Sequence, residues 1–274
     1  MNADRLRQTL NVVFAVTQIA AGSFAAVTGL GVSIAERSNA ANTPVTPAGY
    51  AFAIWGVIFF GCLAYAVYQA MPSYRHDPLL RRAGWLTAAA FLGNTLWSVE
   101  CQLNGLTWPT VAVIAGTLAA SVWACVRLAP VRRGLSSARY WLLLVPVNLL
   151  AGWLSVATAA NVAAACQANG LGSLGLSPTN FAVVLIAAAG LFAVAVTVRT
   201  QGQWYAAAVV WGLIGVMVAD SAAENPAVVL TAGGVAVVVL AGLYADKFLE
   251  WAQPGRPDRS PRQSRRLENA GRDV

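Results

Sequence analysis

Eight separate stretches of this chain are apolar over about the length an α-helix needs to cross a hydrocarbon layer, roughly 20 residues. They run at 9–31, 49–70, 84–103, 109–129, 140–165, 179–199, 204–220 and 226–247, between polar or Pro/Gly breaks. Only 11% of the residues are charged and 58% are hydrophobic, where an ordinary soluble domain is about a quarter charged. Eighteen basic and 11 acidic side chains cannot cover a soluble core of this size, so lipid is the expected solvent. The alternating pattern of a membrane barrel is absent. The expected fold class is therefore all-α, a polytopic membrane helix bundle.

The basic residues give an independent check on the spans. Two precede the first, three lie at 71–83, four at 127–139, and Arg199, Lys247 and six tail arginines complete 17 of the 18. Arg37 alone falls on the other side, where connections 104–108, 166–178 and 221–225 carry no Lys or Arg. Positive residues concentrate on the cytoplasmic side of inner-membrane proteins, so both termini are expected in the cytoplasm of a bacterial cell. The net charge of +7 is thus a topology signal, and no nucleic-acid partner is implied. Arg5 and Arg7 before an apolar run loosely imitate a secretory signal, but that run exceeds the roughly 7–15 residues of a signal core, so a retained first span is expected. From Gln253 onward the composition predicts a basic, disordered cytoplasmic tail.

Cys62, Cys101, Cys125 and Cys166 lie in or beside apolar segments without a C-x-x-C pair, and His76 is the sole histidine. Neither a metal site nor a disulfide framework is indicated. Polar side chains at membrane depth are more informative, because they are unfavourable unless they face a cavity or a partner helix. The third span holds Asn94, Trp97, Glu100 and Cys101, with Asn94 and Trp97 on one face and Glu100 adjoining. The fifth carries Asn148, Trp153, Ser155, Thr158 and Asn161 among alanines, a pattern that lets helices approach closely. Asn161 falls toward the same membrane face as Glu100 and the start of the second span. That span opens Thr46-Pro47-Ala48-Gly49-Tyr50 and continues through Phe52, Trp55, Phe59 and Phe60. Tyr50 suits the interfacial aromatic belt, whereas Trp55 lies about 12 Å beyond Pro47 along a helix axis, too deep for it.

Pro47, Phe52 and Trp55 resemble the "PP-x-x-x-F-x-x-x-W" start of the second helix in the tryptophan-rich sensory protein/translocator (TspO/MBR) family. Asn94-x-x-Trp97-Ser98 resembles the "N-x-x-W-S" of that family's third helix, and Trp153-x-Ser155-x-Ala157-Thr158-x-x-Asn161 the "W-x-S-x-A-T-x-x-N" of its fifth. The chain departs from the pattern where Thr46 replaces a proline, where Phe52 sits one position nearer the tryptophan, and where Pro146 lies farther upstream of Trp153. The motifs cover residues 1–166, so the chain resembles a long bacterial branch of the family. The expected organisation is a TspO-like five-helix bundle at 1–168, about three additional transmembrane helices at 169–250, and the tail at 251–274.

The resemblance implies a pocket between helices, closed by the loop after the first helix, that takes porphyrin-like, sterol-like or drug-like apolar ligands. Trp55, Asn94, Trp97 and Asn161 would line it, with Trp153, Tyr50 and Glu100 as further ligand-binding candidates. No tightly bound cofactor is expected, and a porphyrin would be a ligand. Without a histidine inside the bundle, free porphyrin suits such a site better than haem iron. The leading expectation is a membrane sensor with a regulatory role, ahead of a transporter of small apolar molecules and, last, a porphyrin-degrading enzyme. Lipid is the partner of the whole bundle, and the last three helices could form a homodimer contact, a lid or a docking surface.

Overall fold

Local capping chemistry sets the starts of several helices. Asp77 accepts from the backbone N–H groups of Leu79 and Leu80 ahead of Pro78, Thr107 and Thr110 form a reciprocal capping box around Pro109, and Ser177 accepts from Asn180 N–H ahead of Pro178. Each pairs an oxygen that satisfies orphan amides with a proline whose missing N–H would have been unbonded anyway. The computed structural model describes residues 3–41 and 43–245, and every regular element among them is helical. In order these are α1 (Ala3–Gly22), α2 (Phe24–Thr28), α3 (Ile34–Ala41), α4 (Ile54–Ala70), α5 (Pro78–Asn104), α6 (Trp108–Leu128), α7 (Ser137–Arg139), α8 (Val145–Ala168), α9 (Pro178–Thr200), α10 (Gln203–Ala222) and α11 (Pro226–Gly242). A tight turn of helix at Gly49–Ala53 leads into α4, and a π-turn at Tyr140–Leu144 joins α7 to α8. Residues 1–243 form one compact unit. The basic tail, with Asp246 and Lys247, lies outside the described residues.

Among the described residues, five helical stretches are long and apolar enough to cross a membrane: Gly49–Ala70, Trp108–Gly134, Ser137–Ala168, Pro178–Thr200 and Gln203–Ala222. Helix α11 is apolar but shorter, at 17 residues. The first expected span, 9–31, does not form as one helix. It stops at Gly22, and the rest becomes α2 and a turn in which Gly29 and Gly31 take φ of 70° and 84°. A β-carbon on Gly31 would collide with the backbone of Gln102, so this apolar segment is folded back against the end of α5 rather than carried on through lipid. Arg37 completes the contact by donating to the carbonyls of Gln102 and Leu103, at the negative end of that helix.

Helices α1 and α5 are less apolar than the others because they meet along a polar seam. Asn11 donates to the Gly84 carbonyl at 2.7 Å and accepts from Thr87 at 2.6 Å, Asn94 donates to Gln18 at 3.1 Å, and Gln102 donates to the Ala21 carbonyl at 2.6 Å. At its basic end stands Arg7, wholly buried, donating to Gln69 Oε1, the Leu80 carbonyl and the Arg75 carbonyl. These bonds answer both terminal nitrogens, and the Asp4 carboxylate 3.8 Å from Nε offsets the buried charge.

Helix α8 is the axis of the bundle. The apolar window of its span is 83% buried, against 33–50% in the other four, and α4, α6, α9 and α10 all pack on it. Small residues allow the closest of these contacts. Gly152 lies against the backbone of α10, and Ser155 hydroxyl meets Tyr205 hydroxyl at 2.8 Å.

Candidate functional site

The alanines of α8 leave room that larger side chains would fill. Ala157, Ala160 and Ala164 recur at helical spacing and form one wall of a cavity of about 50 Å³. Trp153 and Asn161 come from the same helix, Trp97 from α5, Ile114 from α6 and Trp55 from α4. Pro47 and Phe52 close one side, and Ile34, Ser38 and Ala41 of α3 lie across the opening. An outer lobe of about 330 Å³ adjoins it, sharing Ile34, Ser38, Phe52, Trp55 and Trp97 and adding Phe59.

The aromatic rings are held against one another. Trp153 meets Phe52 edge-on at 5.6 Å and Trp55 edge-on at 6.1 Å, while Trp55 stacks on Phe59 at 4.9 Å. These separations fall in the favourable range for ring pairs, so the box is pre-formed. Trp97 Nε1 donates to Asn161 Oδ1 at 2.7 Å, and Asn161 Nδ2 donates to Thr110 Oγ1 at 2.9 Å. Asn161 therefore fixes the plane of Trp97 and ties α5, α6 and α8 together where the cavity begins. Trp153, 1% exposed, has an indole N–H with no acceptor among the described residues.

Four of the seven residues singled out in the sequence converge here: Trp55, Trp97, Trp153 and Asn161. Three do not line either lobe. Asn94 is turned into the α1/α5 seam and bonds Gln18. Glu100 is partly exposed and accepts from Asn104 at 2.9 Å. Tyr50 is exposed and lies edge-on to Trp211 at 5.8 Å. His76 lines neither lobe and is bonded to Asp4 at 3.1 Å.

Helix α3 was not anticipated, although Ser33-x-x-Glu36 is a capping-box signature. Both halves of the box are present: Glu36 accepts from Ser33 N–H at 3.1 Å and from its hydroxyl at 2.6 Å, and Glu36 N–H donates to Ser33 Oγ at 3.2 Å. Those bonds hold the Glu36 carboxyl below its ordinary range. The supporting role of α10 was also not anticipated. Gly215 carbonyl accepts from Ala48 N–H and Trp211 Nε1 donates to the Ala51 carbonyl, each at 2.9 Å, so the segment that carries Pro47 and Phe52 is strapped to α10.

A family sequence model described as TSPO-like protein matches residues 8–245. The match runs through α9, α10 and α11, past the five spans that carry the motifs. No curated protein and no solved structure gives a match.

Proposed function

Because the chain belongs to the TSPO-like family and is a multi-pass membrane protein, we propose that it binds a porphyrin-like or other flat apolar ligand between α3, α4, α5 and α8, and that occupancy has a regulatory effect. The observation that carries this reading is the box of Phe52, Trp55, Trp97 and Trp153 around a cavity with few polar groups, which offers ring faces to a planar ligand and fixed amides to orient it. The inner lobe has room for only a few waters. A macrocycle therefore enters by lifting α3 and uses the outer lobe as well. The unanswered N–H of Trp153 supplies a donor at the inner wall. The distribution of basic residues supports a bacterial inner-membrane location with both termini cytoplasmic, α3 and the cavity lying toward the opposite face.

The test is titration of protoporphyrin IX into the purified protein in nanodiscs, followed by tryptophan quenching, with Trp55→Phe and Trp97→Phe against Trp123→Phe. Trp123 is 55% exposed on the outside of α6 and serves as the comparison. Saturable binding that weakens in the first two variants alone supports the reading. Equal, non-saturable quenching in all three refutes it and redirects the search to transport assays. Light-dependent loss of porphyrin absorbance would assign the bound state a catalytic role instead.

A further inference from the structure

Beside the aromatic box lies a larger chamber, about 730 Å³, whose wall includes Ser38, Thr43, Thr179, Asp220, Glu224 and Asn225. Among the described residues, two carboxylates and no basic side chain line it. Asp220, at the end of α10, is 3% exposed; its Oδ1 accepts from Asn225 Nδ2 at 3.1 Å, and its Oδ2 has no hydrogen-bond partner among the described residues. A carboxylate oxygen this buried and unanswered is strongly unfavourable by itself, and the group that best offsets it is a donor that also carries positive charge. The chamber is continuous in its walls with the aromatic site: Ser38, Thr46 and Pro47 also line the inner lobe, and Ser38, Asn39 and Gly49 the outer one.

We propose that this chamber is a head-group site that selects flat apolar ligands bearing a protonated amine, with Asp220 Oδ2 as the acceptor, Glu224 as a weaker outer charge, and the ring system lying against Trp55 and Phe52. The inference rests on the ligand-binding reading above and narrows it. A ligand with carboxylates must keep them away from this chamber, whereas an amine is drawn in and its charge is also attracted to the aromatic faces beyond. The residue responsible belongs to α10, so the C-terminal helices contribute to ligand choice as well as to packing.

The experiment uses a matched pair, aminomethylanthracene and hydroxymethylanthracene, one cationic and one neutral at pH 7, titrated into the full-length protein in zwitterionic nanodiscs with empty nanodiscs as blank. Energy transfer from tryptophan reports binding. The amine is expected to bind about tenfold more tightly than the alcohol, the effect of one charge-assisted hydrogen bond. Asp220→Asn is expected to bring the two within about twofold, and Glu224→Gln to reduce the preference by about two- to threefold. Equal affinities in the unaltered protein would mean that water alone answers Asp220, overturning the inference and leaving the aromatic site intact. A preference that survives Asp220→Asn would overturn it too. Binding of neither compound would remove the ligand-binding reading itself. If Asp220→Asn loses the alcohol as well, the variant is misfolded and Glu224→Gln decides, an unchanged preference counting against the proposal.

Discussion

Gly152 sits directly beneath the carbonyl of Tyr205, with the Ala208 methyl only 2.9 Å from where a β-carbon would stand. Backbone thus meets backbone between α8 and α10. Gly152→Ala forces the two helices apart, and packed interfaces give little under such overfilling, so a loss of roughly 1–3 kcal/mol is expected. Unfolding in a denaturing-detergent titration measures it. A chain ended after Ala168 loses the whole of this face and is expected not to fold, which a monodisperse, helical product would contradict.

The Trp97–Asn161–Thr110 chain makes a second prediction. Asn161→Ala leaves the half-buried Trp97 indole N–H without its acceptor, while the Thr110 hydroxyl keeps its bonds to Thr107, at a cost of about 1–3 kcal/mol. The same variant frees the Trp97 ring to turn, so its emission is expected to broaden and shift to the red. Unchanged emission and stability would show that the network positions nothing.

Arg7 is the opposite of a topology marker that merely sits in water. Arg7→Met removes a buried cation whose donors satisfy Gln69 and two carbonyls, and those acceptors are left bare. The expected cost is about 2 kcal/mol or more, seen as a lower thermal midpoint in detergent. Arg5→Met, two residues away on an exposed side chain, is expected to be nearly neutral.

The capping of α3 predicts an acid response. The Glu36 carboxyl is held below its ordinary range, so the stabilisation it gives α3 is full above that range and is lost as pH falls through the depressed value. Tryptophan emission from the cavity is therefore expected to change only at pH below the ordinary glutamate range. Glu36→Gln should show the acid-like emission already at pH 7 and respond little to further acid. A pH profile identical in both proteins would disconnect the cap from the cavity.

Hydropathy made most of the bundle legible, because lipid-facing sides of α4, α6, α9, α10 and α11 must be apolar whatever they pack against. It misread 23–31 for a physical reason. Phe24, Ala25, Ala26 and Val27 are as apolar as a span, and only the left-handed glycines at 29 and 31, folded against Gln102, reveal that the chain turns back. Within the site, the period of the helix put Asn94 near Trp97, and the two are indeed adjacent on α5. They nevertheless point to different neighbours, since α1 covers one flank of α5 and the cavity opens on the other. Sequence spacing fixes the angle between side chains but not which helix stands opposite each. The Pro47 segment's attachment to α10 was hidden for a related reason: its bonds join residues more than 150 positions apart through backbone carbonyls, which carry no side-chain signature.

The short helix α3 has a consequence for energetics. Ser38 faces the inner lobe, the outer lobe and the acid-lined chamber alike, so the three spaces share one wall. A molecule that orders this wall from one side alters the work needed to occupy the others. Thermodynamic linkage makes that influence mutual: whatever factor an occupant of the chamber applies to affinity in the aromatic box, an occupant of the box returns in equal measure. In the proposed ligand-binding reading, the eight residues Ile34–Ala41 are where such coupling would arise.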